Sequence, residues 1–282
     1  MQIRLLLALL LLPACISAQE RVSVSGRIVN ERGEAIEYVQ VGISKLGIGT
    51  VSSMDGRFEF NSPIDTLEFH HVSYETGFLP VSGPQDDVLI VLKESELPPA
   101  VFIGGETKEK YLVRAGTRIP SATGGFHFEG GIVKGMEFGS VANARKPFLI
   151  KDILFSVFAN DIPGCVLSIN VYRIEGEPEQ FTNILHKPIY LNVAVSDDVQ
   201  DFDVQPEESI LLEPGRYYIS FDIVDCDMDA VNGYRESESS YNRISLYTFL
   251  YFKSSYMRVA ALGEFKRYPV NFGIAVKGLE YQ

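Results

Sequence analysis

The chain has 282 residues, 46% apolar, 22% charged and 11% aromatic, with 25 Lys and Arg against 37 Asp and Glu for a formal net charge of -12. Length and apolar share suffice for two cored domains and exclude a disordered or low-complexity chain. The acidic balance, with no basic stripe along the sequence, excludes a nucleic-acid partner, because phosphate-backbone binding rests on clustered cations that release counterions.

Residues 1–18 read as an export signal: Arg4 supplies a positive start, Leu5 to Leu12 an apolar run, and Ile16-Ser17-Ala18 small residues before a cut that leaves Gln19 first. The run falls far short of the roughly 20 apolar residues that span a bilayer, and Pro13 breaks it. Leu12-Pro13-Ala14-Cys15 resembles a lipobox, in which Cys15 would be acylated, with Pro13 where a small or β-branched residue is usual. Both readings predict an exported protein that is periplasmic, outer-membrane associated or at the cell surface. No later segment is apolar over a spanning length, so no transmembrane span is expected in the mature chain.

From Val22 to Lys93 the pattern has period two: Val22, Val24 and Ile28 share a parity, as do Val39, Val41 and Ile43, followed by Phe58/Phe60, Leu67/Phe69 and Val88/Ile90/Leu92. Such runs predict half-buried strands. Asn30-Glu31-Arg32-Gly33 and Met54-Asp55-Gly56-Arg57 supply the turns, because Gly accepts the positive φ that tight hairpins demand. The ordered set Val24-Ser25-Gly26-Arg27-Ile28-Val29, Gly33 to Val41, Gly49-Thr50-Val51-Ser52, Asp55-Gly56-Arg57-Phe58, Leu67-Glu68-Phe69 and Val72-Ser73-Tyr74 resembles the carboxypeptidase-like regulatory domain. Ser73 departs from the Gly often found before the aromatic. The resemblance implies a transthyretin-like β-sandwich over residues 19–94, with no catalytic residues of its own.

Residues 95–117 read as a linker, since Leu97-Pro98-Pro99-Ala100 disfavours regular structure and Gly104-Gly105 is flexible. Too few residues follow for a transporter barrel of roughly 22 strands. From 118 to 282 the chain is β-patterned again, with alternation at Ile153/Phe155/Val157, Leu167/Ile169/Val171, Leu191/Val193/Val195, Tyr217/Ile219/Phe221/Ile223, Tyr247/Phe249/Tyr251 and Phe272/Ile274/Val276. The fold class expected is therefore all-β: two β-sandwiches, the second larger and jelly-roll-like. This second segment also resembles a β-sandwich found behind the regulatory module in envelope proteins of the Bacteroidota, which implies no defined activity.

Candidate chemistry is sparse. Asp225, Asp227, Asp229 and Glu236 stand at positions one, three, five and twelve of a calcium-loop spacing. Ala230 occupies the place of the turn Gly, and a strand precedes the run, so a wet acidic loop explains it as well. No other metal or cofactor is expected. A zinc carboxypeptidase needs a His-x-x-Glu pair and a distant His, which His70, His71, His127 and His186 do not supply. There is no Gly-x-Ser-x-Gly elbow, so no catalytic residue is assigned. Cys165 and Cys226 are either a disulfide, worth ~2–4 kcal/mol, or two buried thiols. Trp is absent, leaving Tyr234, Tyr241 and Tyr256 near predicted loops as sugar platforms.

These readings predict a non-enzymatic, exported envelope protein acting as a binding, adhesion or scaffold module, whose partner is an envelope protein or a cell-surface glycan. The alternative is a surface protein that binds or cleaves glycans with the end loops of its second sandwich.

Overall fold

The computed structural model of the chain describes residues 21–96, 104–126, 134–231 and 245–282. The leader, Cys15, His127, Tyr234, Glu236 and Tyr241 lie outside these residues.

The first sandwich contains β1 (Arg21–Asn30), β2 (Gln40–Ile43), β3 (Ile48–Val51), β4 (Arg57–Pro63), β5 (Thr66–His71), β6 (Tyr74–Pro80) and β7 (Gln85–Leu92). One sheet runs β4-β1-β7 and the other β3-β2-β5-β6. The parity read from sequence holds: Val24, Ile28, Val39, Val41, Leu67 and Phe69 are buried in one core. Gly26 lies where β7 runs parallel beside β1, and a Cβ there would sit 2.1 Å from the Val88 carbonyl oxygen. Gly56 takes a φ of 77°, which a residue with a side chain rarely adopts, in the turn leading into β4.

The second sandwich contains β8 (Thr107–Val113), β9 (Arg118–Phe126), β10 (Glu137–Ala144), β11 (Phe148–Asn160), β12 (Cys165–Glu175), β13 (Gln180–Asn183) and β14 (Ile189–Val193). It continues with β15 (Gln200–Val204), β16 (Ile210–Leu212), β17 (Gly215–Asp225), β18 (Leu246–Tyr251), β19 (Ser255–Arg258), β20 (Lys266–Tyr268) and β21 (Ala275–Tyr281). Its sheets run β8-β21-β11-β18-β9 and β13-β12-β17-β10-β19-β20. Ile153, Phe155, Val157, Leu167, Ile169, Val171, Ile219, Phe221 and Ile223 fill the space between them. Phe155 and Phe221 stack across it at 4.9 Å, and each buried ring of this size contributes ~1.5–3 kcal/mol. β8 falls within the segment read as a linker: it is an edge strand paired with β21, and its outward Lys and Glu residues mask the alternation.

The β12–β17–β10 sheet is also covered on its other face. Tyr172, Ile174, Tyr218 and Tyr256 are buried there beneath Phe181 and Phe265. Further along that face the first sandwich docks, with Tyr38 and Val51 against Val224 and Ala261. Tyr38 holds a φ of 53°, unusual for a bulky residue, while its ring meets Tyr190 edge to face at 4.9 Å. The Ser73 hydroxyl donates to the His186 carbonyl at 2.7 Å, tying the two units again. Among the described residues no helix is long and apolar enough to cross a membrane.

Candidate functional site

Where the two sandwiches meet they enclose a cleft of about 500 Å³. The first sandwich provides Tyr38, Gln40, His70 and His71; the second provides the outward parity of β12 and β17 together with Phe181, Asn183 and Tyr190. Strand alternation sets this lining. Ser168, Asn170 and Tyr172 lie on the face of β12 opposite Leu167, Ile169 and Val171, and Asp222 and Val224 lie opposite Phe221 and Ile223.

Under the cleft floor sits a buried polar network. Glu137 and Arg258, both almost wholly buried, form an ion pair at 2.7 Å. The Tyr172 hydroxyl donates to Glu137 at 3.2 Å, Arg258 Nη2 donates to the Tyr172 oxygen at 3.3 Å, and Ser220 donates to the other Glu137 oxygen. Burial opposes the Arg258 charge, but the Glu137 carboxylate outweighs it and raises the guanidinium pKa. The two charges cancel, so the network as a unit is neutral.

Asp222 stands beside this pair, fully buried. Burial first, then the Glu137 charge, raises its pKa well above the ordinary carboxylate range. Asn170 Nδ2 donates to Asp222 Oδ1 at 3.0 Å and is itself fixed by Asn183, whose amide donates to Asn170 Oδ1 at 2.9 Å. Asp222 Oδ2 has no hydrogen-bond partner among the described residues. With Oδ1 accepting from Asn170, a proton held by this carboxyl would sit on Oδ2, where no acceptor meets it.

His71 gives the cleft a second donor. Burial drives its pKa down to about 4, so the ring is neutral at ordinary pH. Its Nδ1 accepts from the Ser73 backbone N–H at 3.2 Å, which assigns the proton to Nε2. Nε2–H then donates to the Tyr190 oxygen at 3.4 Å, leaving the Tyr190 O–H to donate elsewhere. Burial raises the Tyr190 pKa, so that proton stays on the phenol.

The residues singled out from sequence lie elsewhere. Asp225 pairs with Lys134, and Asp227 Oδ1 caps the start of a helical turn by accepting from the Ala230 N–H at 3.0 Å. Asp225 and Asp227 of the calcium-spaced set are thus engaged by protein donors, and no group of three or more metal-ligating side chains forms among the described residues. Cys165 and Cys226 are free, buried thiols at facing ends of β12 and β17, where Val166 pairs with Asp225. Of the loop tyrosines, Tyr256 is buried, receives a bond from Arg216 and donates to Glu179 at 2.7 Å. Asp222, Asn170, Glu137 and Arg258 were missed because polar residues at the outward parity of a strand read as a solvent face.

No family model matches the chain, and no curated protein matches it. Solved structures with some likeness include a DUF3823 family protein from Bacteroides ovatus, 11% identical, covering 72% of this chain and 97% of its own, with a TM-score of 0.21. A candidate carbohydrate binding protein from Bacteroides uniformis is 9% identical over 93% of this chain and 99% of its own, with a TM-score of 0.22. The VP2 protein of infectious bursal disease virus is 10% identical over 87% of this chain and 59% of its own, with a TM-score of 0.27. Scores this low establish no common fold.

Proposed function

We propose that the protein is a non-enzymatic, exported envelope protein that binds a neutral, polyhydroxylated ligand of the carbohydrate class in the cleft between its two sandwiches. The observation that carries this reading is the buried Asp222 carboxyl, whose Oδ2 lacks a hydrogen-bond partner among the described residues in a cleft lined by tyrosines. A buried polar group left without a partner costs about 1–3 kcal/mol, and a ligand oxygen placed there recovers it. The Tyr190 O–H offers a second donor, while the partly buried Phe181 presents ring surface to the apolar face of a sugar. A charged ligand is disfavoured, because the floor is neutral and largely desolvated.

Export and envelope location rest on the leader pattern of residues 1–18, and the first sandwich on its resemblance to the carboxypeptidase-like regulatory domain. The site lies on the shared face of the two units, away from the end loops that sequence suggested as a glycan platform.

Titration calorimetry of the full chain against a panel of neutral oligosaccharides tests the reading. Binding is expected to survive Asp222→Asn, whose amide keeps both a donor and an acceptor, and to be lost in Asp222→Leu. Turnover of any panel member, or equal binding by the Leu variant, would overturn it.

A further inference from the structure

A second cavity, of about 730 Å³, opens where the edges of the two larger sheets part, with β8 on one side and β10 and the turn between β18 and β19 on the other. Lys110, Arg114, Arg145, Arg216, Lys253 and Arg267 line it, six cations gathered in a chain whose net charge is -12. They are scattered over more than half the sequence, so only the fold brings them together.

Carboxylates answer part of this charge. Lys110 pairs with Glu280, and Arg216 and Arg267 share Glu179 at 2.8 and 3.3 Å. Arg114, Arg145 and Lys253 make no ion pair among the described residues. The Arg114 guanidinium lies 3.8 Å over the Tyr111 ring, which holds its plane without neutralising it. Lys253 is half-buried, and among the described residues the one bond its ammonium makes is to the Val141 carbonyl at 3.1 Å. Burial without a counter-charge lowers its pKa. Desolvating an ammonium beside other cations is unfavourable, and an anion in the groove reverses the sign of that interaction.

We propose that this groove is a second binding site, for a small polyanion whose charge is carried on phosphate or sulfate groups. Guanidinium forks match the oxygens of such groups two at a time, and four of them with two ammonium groups exceed what the two carboxylates, Glu179 and Glu280, satisfy. Walls of low dielectric concentrate the field of the cations in the groove, against the acidic field of the chain as a whole. The volume lies within the range of small-molecule sites, ~300–1,000 Å³, and suits a ligand of disaccharide size. The residues are distinct from those of the Asp222 cleft, and the inference stands without it.

Calorimetry of the full chain at low salt, with inorganic pyrophosphate and a sulfated heparin disaccharide as probes, decides the matter. At least one probe is expected to bind, more weakly as salt rises, and the one that binds identifies phosphate or sulfate as the recognised group. Arg145→Gln, at an exposed position where folding is not at stake, and Lys253→Met are each expected to weaken binding about tenfold, or ~1.4 kcal/mol. Lys45→Gln, in the first sandwich, leaves binding unchanged. Failure of both probes to bind at low salt, or binding that both groove variants retain, would overturn the proposal.

Discussion

Tyr38 and Tyr190 meet edge to face with their ring centroids 4.9 Å apart, one from each sandwich. Tyr38 is held in left-handed backbone geometry at this contact, so the ring that closes the cleft is also the ring that couples the two units. Removing it by Tyr38→Ala is expected to cost about 3 kcal/mol, the scale of a large buried side chain. Scanning calorimetry is expected to show a single melting transition in the wild type and two in the variant. A single, unshifted transition in the variant would show that the contact couples nothing.

His71 makes this junction sensitive to acid. Its pKa is lowered from 6.5 to about 4 by burial, so below pH 6.5 the unfolded chain takes up a proton that the folded chain refuses. Stability is therefore full above pH 6.5 and falls until about pH 4, where the folded ring also protonates, by about 3 kcal/mol in all. His71→Gln is expected to flatten this part of the pH profile, as read by denaturant midpoints across the window.

Asp222 acts in the opposite direction. Its folded-state pKa is raised, so above the ordinary carboxylate pKa of 3.8 the folded chain retains a proton that the unfolded chain releases. Its contribution is fully present below that pH and is lost as pH rises toward the folded pKa. Asp222→Asn, which is neutral at every pH, is expected to gain stability over wild type as pH climbs from about 4 to neutrality. Stability profiles of the two chains that stay parallel across this window would contradict the raised Asp222 pKa.

The Glu137 and Arg258 charges are buried together, and breaking such a pair leaves one charge without its partner. Arg258→Met is expected to cost about 3–5 kcal/mol, and the double change Glu137→Gln, Arg258→Met to recover most of it. Urea unfolding of the wild type, of Glu137→Gln, of Arg258→Met and of the double variant forms the cycle.

Burial raises the Cys165 thiol to about 12 and the Cys226 thiol to about 11, so neither is a thiolate at neutral pH. Both are expected to resist alkylation in the native protein and to react fully once it is unfolded, as read by mass. If neither reacts even after unfolding without reductant, the purified protein holds them as a disulfide.

Much of the framework is legible in the sequence. The inward parity of β11, β12 and β17 shows in Phe155, Ile169 and Phe221, and the turn before β4 in Asp55-Gly56, because each records a strong local demand. The site is not legible in the same way. Asn170 and Asp222 occupy positions that polar residues take on any solvated sheet, and their burial comes from Phe181, Tyr190 and a separate sandwich closing over them. The basic groove is hidden for a related reason: Lys110, Arg145 and Arg267 stand in unrelated segments, and sheet order alone makes them neighbours. Edge strand β8 is hidden within a linker-like segment because its exposed face carries charges that strand patterns avoid in the core.

β17 is bonded on both sides, to β12 and β10, and nearly every residue from Tyr217 to Val224 is buried. Its amides are therefore expected to exchange with solvent only when the whole domain opens, the slowest class of exchange a protein shows. The Asp222 floor of the cleft belongs to that slow unit, whereas Tyr38 and His71, which form the opposite wall, belong to a smaller sandwich attached by a short set of contacts. A ligand bound as proposed would meet a floor already set in its final shape, and its entry and release would be timed by how often the smaller sandwich lifts away from it.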